Sequence, residues 1–94
     1  MSYVKVRWHH DGGDDPIILY HEIASDRREI RRVELFEDGR LQSSDRVDPE
    51  AATSLSLEPL PTLEEIRSQP EFDVVEIDQS AFEDVWTRAG GGRG

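Results

Sequence analysis

His9, His10 and His21 are the residues of this 94-residue chain best suited to chemistry near neutral pH. Asp11, Asp14 and Asp15 follow the first two closely, and two imidazoles with a carboxylate are a ligand set for zinc. The spacing argues against such a site. His9 and His10 are consecutive in an extended pattern, and consecutive strand residues point to opposite faces, so they cannot both enter one compact site. No histidine pair at a helical spacing with a glutamate between them is present. The Asp11–Asp15 run also lacks the pattern of a calcium loop, because glycine stands where ligands are needed. A solvated turn beside surface or half-buried histidines is the expected state, with no bound metal. Acid–base pairs carry no information in a chain with 21 acidic side chains, since any two could be chosen. No serine has the Gly-x-Ser-x-Gly context, and no glycine-rich loop precedes a helix. The absence of cysteine removes disulfides, thiolate ligands and a thiol nucleophile. No catalytic or cofactor-binding residue is therefore assigned, and the expectation is a protein that is not an enzyme and holds no cofactor.

Two charged groupings remain. Arg27, Arg28, Arg31 and Arg32 form the one basic cluster, which could meet phosphate, but Glu29, Glu34 and Glu37 interleave with it. A salt-bridged strand is the preferred reading. The opposite grouping is larger. The formal net charge is −10, and residues 48–94 hold 11 acidic side chains against 3 basic ones. Glu64, Glu65, Glu71, Asp73, Glu76, Asp78, Glu83 and Asp84 are the candidate partner-binding residues of that half. Helix capping and solubility account for Glu64, Glu65, Glu83 and Asp84. They account less well for the excess around Glu71–Asp78.

The elements that must position these groups can be read from the pattern. Tyr3 to His9 alternates, with Val4, Val6 and Trp8 on one face, and reads as a half-buried strand. A turn-rich stretch to Pro16 leads into a second strand over Ile17 to Ile23, antiparallel to the first. Glu29 to Phe36 reads as a third, with a bulge at Arg31-Arg32 that would bring Ile30, Val33 and Leu35 onto one side. Asp38-Gly39 then predicts a hairpin with positive φ at both central residues, into a strand over Arg40–Ser44. Leu55 and Leu57 suggest a short edge strand that Pro59 and Pro61 keep from the centre of a sheet. Thr62 and Glu65 form a capping box for a helix over Leu63 to Gln69, with Leu63 and Ile66 as its core contacts. Phe72 to Ile77 is extended. Ser80 and Glu83 suggest a second capping box for a helix to Arg88, whose Phe82, Val85, Trp86 and Ala89 lie on one face. Acidic residues are expected in the first turn of both helices.

Strands first and helices last predict an α+β domain over residues 1–89: an antiparallel sheet of four to five strands with two short C-terminal helices packed on one face. Residues 90–94 are expected to form a flexible glycine tail. Val4, Val6, Trp8, Leu19, Ile23, Val33 and Leu35 of the sheet should meet Phe82, Val85 and Trp86. Hydrophobic content of 35% is low, but the local patterns favour folding over disorder. No apolar run approaches the ~18–20 residues of a membrane span, and the first residues read as a strand rather than a signal peptide. No direct contact with nucleic acid is expected of so acidic a chain. The expected location is the cytoplasm.

The segments Ser2-Tyr3-Val4-Lys5-Val6-Arg7-Trp8 and Val33-Glu34-Leu35-Phe36-Glu37-Asp38-Gly39-Arg40-Leu41 carry a resemblance. So does the closing set Pro61-Thr62-Leu63-Glu64-Glu65-Ile66, Pro70-Glu71-Phe72 and Phe82-Glu83 with Val85-Trp86. Together they resemble a family of small bacterial proteins of unknown function, roughly ninety residues long. The resemblance implies a stand-alone bacterial domain with no known catalytic residues. The occurrence of some relatives beside polymorphic toxins implies an immunity role. The combined expectation is a non-enzymatic protein-binding module, such as an immunity or antitoxin-like inhibitor, whose partner is a protein with a basic surface such as a toxin. A homodimeric structural or regulatory module is the alternative, and a small metal protein or enzyme using His9 or His21 ranks third.

Overall fold

The alternation of apolar and polar residues in the first segment places Val4 and Val6 in the core, while Ser2 and Arg7 remain exposed. A computed structural model of the chain describes residues 2–10, 15–45 and 62–90. Its elements are β1 (Ser2–Trp8), β2 (Ile18–Ile23), β3 (Glu29–Leu35), β4 (Leu41–Asp45), α1 (Leu63–Arg67), β5 (Phe72–Ile77) and α2 (Gln79–Arg88). The five strands form one antiparallel sheet in the order β4-β3-β2-β1-β5. The fold is therefore α+β. The edge strand suggested by Leu55 and Leu57, most of the Asp11–Asp15 turn, and nearly all of the glycine tail lie outside the described residues.

The helices do not share a face, which corrects the one-face arrangement. Leu63 and Ile66 of α1 pack with Val4, Val6, Leu19, Ile23, Phe72 and Val74. Phe82, Val85, Trp86 and Ala89 of α2 pack with Tyr3, Tyr20, Val33, Leu41 and Ile77. Tyr3 alternates with Val4, and Val4 pairs with His21 while Lys5 pairs with Tyr20, so the two clusters lie on opposite sides of the pleat. The strands carry an apolar set on each face. Val33 alone of the buried sheet valines joins α2.

Three local expectations shift for identifiable reasons. The bulge sits one residue earlier than expected: Glu22 pairs with Arg31 and Ile23 with Glu29, so Ile30 is the extra residue. The β3–β4 hairpin turns through Glu37, Asp38 and Gly39, with Phe36 N–H donating to the Arg40 carbonyl and Gly39 N–H to the Phe36 carbonyl, both at 2.9 Å. Gly39 has φ +88°, whereas Asp38 does not enter the positive region, so this is a three-residue loop rather than a two-residue one. Helix α2 is capped by Asp78, whose side chain accepts from Ala81 N–H at 2.8 Å, and not by Ser80. With the start moved upstream, the first turn of α2 holds no acidic residue. By contrast, Thr62 and Glu65 make both bonds of the capping box on α1.

Candidate protein-binding surface

Most of the eight candidate acids have local duties. Glu65 closes the Thr62 box, and Asp78 caps α2. Asp84 pairs with Arg88 at 2.9 Å, one helical turn away, and both are exposed. Asp73 lies 2.5 Å from Nε2 of His9 across the β1–β5 pair, again at the surface. Glu83 reaches back to Arg31 of the sheet. That leaves Glu64, Glu71 and Glu76, all exposed, with no cationic partner among the described residues. Glu71 immediately precedes β5 and Glu76 is within it, at the edge of the sheet, and Glu64 is on α1, which packs over β5 on one face. Val75, in the same strand, is 55% exposed, the one large hydrophobic residue so exposed among those described.

The histidines do not assemble. His9 binds Asp73, His10 Nε2 lies 2.9 Å from the Pro16 carbonyl, and Nδ1 of His21 is hydrogen-bonded to Glu29. Among the described residues no group of three histidine, aspartate or glutamate side chains could hold a metal ion.

Two ion networks hold the sheet: the Arg32 pairs with Glu29 and Glu34 are the salt-bridged strand expected of residues 27–37, whereas the links of Arg31 to Glu22 and Glu83 were not anticipated. On the α2 face, Arg31 sends Nε and Nη2 to the two oxygens of Glu22 at 2.6 and 2.8 Å, and Nη1 and Nη2 to those of Glu83 at 3.0 and 2.7 Å. Its guanidinium lies 4.9 Å from the ring centroids of both Phe82 and Trp86. Hydrogen bonds from Arg31 hold the Glu22 carboxyl below its ordinary range against the opposing effect of burial, and Tyr3 adds a further hydrogen bond. Arg31 lowers Glu83 in the same way. The phenol of Tyr3 is pushed up, by burial first and by the Glu22 carboxylate second. On the opposite face, Arg32 donates from Nη2 to Glu29 Oε1 at 2.6 Å and from Nε to Oε2 at 3.0 Å, with Glu34 3.7 Å away. Burial disfavours the charged Glu29, which is 1% exposed, but hydrogen bonds from His21 and Arg32 outweigh it and bring the carboxyl down to about 2. The interleaved arginines and glutamates of residues 27–37 were a signal for such pairing; what no periodicity could give was that Glu22 and Glu83 complete it.

These networks satisfy buried charge and tie elements together, and each guanidinium fork is already occupied by carboxylate. Among the described residues, the β5 edge combines exposed acids with the exposed Val75. An open antiparallel sheet with one helix on each face, buried ion pairs and an acidic edge defines the class: a small α+β domain. The chain belongs to the family described as Domain of unknown function (DUF6881), whose model matches residues 2–91. No curated protein and no solved structure matches it.

Proposed function

We propose that this domain is a non-enzymatic protein-binding module, of the immunity or antitoxin type, that covers a basic site on a partner protein. The observation that carries the reading is the placement of Glu64, Glu71 and Glu76. Glu71 and Glu76 are exposed at one sheet edge and Glu64 on the helix packed over it, and no cation among the described residues neutralises them. An acidic surface of this kind competes with phosphate for a basic partner and speeds association. A toxin acting on nucleic acid has the matching surface. A bacterial, cytoplasmic setting completes the proposal.

The test is a co-purified partner titrated against the protein at rising ionic strength. Affinity should fall at least about tenfold between about 50 and about 300 mM salt. A triple reversal, Glu64→Lys, Glu71→Lys and Glu76→Lys, should remove binding while the chain stays folded, with only the small loss of stability expected from reversing a first-turn acid of α1. Binding that ignores both salt and reversal overturns the reading.

The exposure of Val75 on an edge strand supports a second reading, a homodimer through β5. Antiparallel self-pairing centred on Val74 would set Asp73 opposite Val75 and Phe72 opposite Glu76, with no acid directly facing an acid. Sedimentation giving a monomer at every concentration would exclude it.

A further inference from the structure

The hydrogen-bond phase of β5 decides which of its backbone groups face away from the sheet. His9 N–H donates to the Glu71 carbonyl at 2.7 Å, which makes His9 and Glu71 a hydrogen-bonded pair at the end of the β1–β5 ladder. Such pairs alternate with non-bonded ones in an antiparallel ladder. Asp73, Val75 and Ile77 therefore direct their backbone groups at β1, and Phe72, Val74 and Glu76 direct theirs outward. The neighbouring pair agrees: Trp8, opposite Phe72, turns its N–H to β2, donating to the Ile17 carbonyl at 2.8 Å. The Phe72 N–H is taken by the Gln69 carbonyl at 3.1 Å. Among the described residues, none takes the backbone groups of Val74 and Glu76 or the carbonyl of Phe72, which leaves them for an added strand.

Edge strands are usually blunted by lysine, proline or a bulge. The stretch Phe72–Ile77 contains neither residue, and its pairing with β1 runs without a register shift. Its protection is Glu76 and Asp73, the latter still exposed although it also meets His9, and both repel acidic strands and attract basic ones. A second copy of this chain, also at −10, would bring no neutralising charge.

We infer that β5 takes an extended segment of a basic partner as a sixth strand, held by the backbone groups of Val74 and Glu76. This rests on the protein-binding reading and adds to it a mode and a recognition pattern. Asp73 and Glu76 are three positions apart, so their side chains leave opposite faces, and the added strand must carry cations three residues apart to meet both. Val75 lies between them and wants an apolar neighbour. An antiparallel segment then reads, from its N-terminus, basic, apolar, any residue, basic. The first and third of these residues exchange N–H and carbonyl bonds with Glu76 and Val74.

The probe is a capped synthetic peptide, Thr-Thr-Lys-Val-Thr-Lys-Thr-Thr, beside the same peptide N-methylated at the first lysine and at the threonine between valine and the second lysine. Charge and side chains are equal in the two; the donors are not. The unmodified peptide should bind the full chain at low salt at least about tenfold more tightly than its N-methylated form. It should also slow amide exchange at Val74 and Glu76 and leave that at Asp73 and Val75 unchanged, because those amides already serve β1. Equal, salt-sensitive binding of both peptides overturns strand addition and leaves the acidic-surface reading standing. No binding of either peptide at low salt overturns strand addition. Protection of Val74 and Glu76 that rises with protein concentration and without peptide assigns the edge to a second copy, and also overturns it.

Discussion

Arg31 and Arg32 are neighbours on β3 whose guanidinium groups end on opposite faces of the sheet, each against a buried glutamate. Arg31 meets Glu22, 6% exposed, and Arg32 meets Glu29, 1% exposed. The pleat makes this unavoidable, since consecutive side chains leave opposite sides. The consequence is a sheet pinned through its third strand. Arg31 also binds Glu83 and lies against Phe82 and Trp86, so it ties α2 down. Arg32 with Glu29 and His21 closes the other face, where the β3 side is polar rather than apolar.

Removing Arg31 should therefore be costly. Arg31→Ala strands the Glu22 carboxylate in a buried site and releases Glu83, and breaking a buried pair on one side costs about 3–5 kcal/mol. Against the usual stability of about 5–15 kcal/mol for a domain, that brings the variant close to unfolding. Arg31→Lys keeps the charge and loses the fork and the stacking, so it should be intermediate. Urea denaturation followed by tryptophan fluorescence measures both, Trp86 being in the affected cluster. A loss below about 1 kcal/mol for Arg31→Ala would show that α2 is held by its apolar face alone.

Glu29 sets a pH dependence whose sign is fixed by its low folded value. Its carboxyl is near 2 when folded against an ordinary value of 4.5, so the unfolded chain binds the proton first. The stabilisation is fully present above about pH 5 and is lost as pH falls toward about 2. Its size is about 3 kcal/mol, from roughly 1.4 kcal/mol for each pH unit of displacement. Glu29→Gln should be less stable at pH 7 and should lose less further stability on acidification. Urea midpoints between pH 7 and pH 2 make the comparison; parallel curves would mean that Glu29 does not carry the effect.

Much of this fold was legible from residue order, and the failures have physical causes. The strands from Val4 to Ile23 and the apolar stripe of α2 follow from periods of two and 3.6, which are local. The side of the sheet taken by each helix is not local. Val4 and Tyr3 are both apolar enough to bury, so alternation could not say which face would be covered, and both were. The cap of α2 was misplaced because Ser80 with Glu83 mimics a capping box, while the Glu83 carboxylate has a stronger partner in Arg31, fifty-two positions away. The acidic surface was legible as composition; which acids stay unpaired needed the register. The outward phase of Val74 and Glu76 follows from two backbone bonds, His9 to Glu71 and Trp8 to Ile17, that no sequence pattern encodes.

Gly39 gives a clean backbone prediction. It sits at φ +88° at the end of the β3–β4 loop, and a Cβ there would have nothing within 4 Å. The cost of Gly39→Ala is then conformational alone, about 1 kcal/mol. The equivalent place in the β2–β3 turn is held by Arg27 at φ +71°, within the same pair of bonds, Ala24 N–H to the Arg28 carbonyl and Arg27 N–H to the Ala24 carbonyl. The chain thus accepts a side chain at one such turn. Gly39→Asn, with a residue that tolerates this region, should recover most of the loss, and thermal unfolding of the two variants decides it.

The start of α2 separates two caps that differ by two residues. Asp78 accepts from Ala81 N–H, whereas Ser80 lies inside the helix and is exposed. Asp78→Ala should cost about 1 kcal/mol through the orphaned amide, and Ser80→Ala should be neutral or slightly stabilising by helix propensity. The effect should also reach β5, because Asp78 directly follows Ile77 and fixes where the strand stops. Amide exchange should then quicken at Ala81 and Ile77 in Asp78→Ala and at neither in Ser80→Ala. The opposite ranking of the two variants would return the cap to Ser80 and unwind the first two residues of the helix.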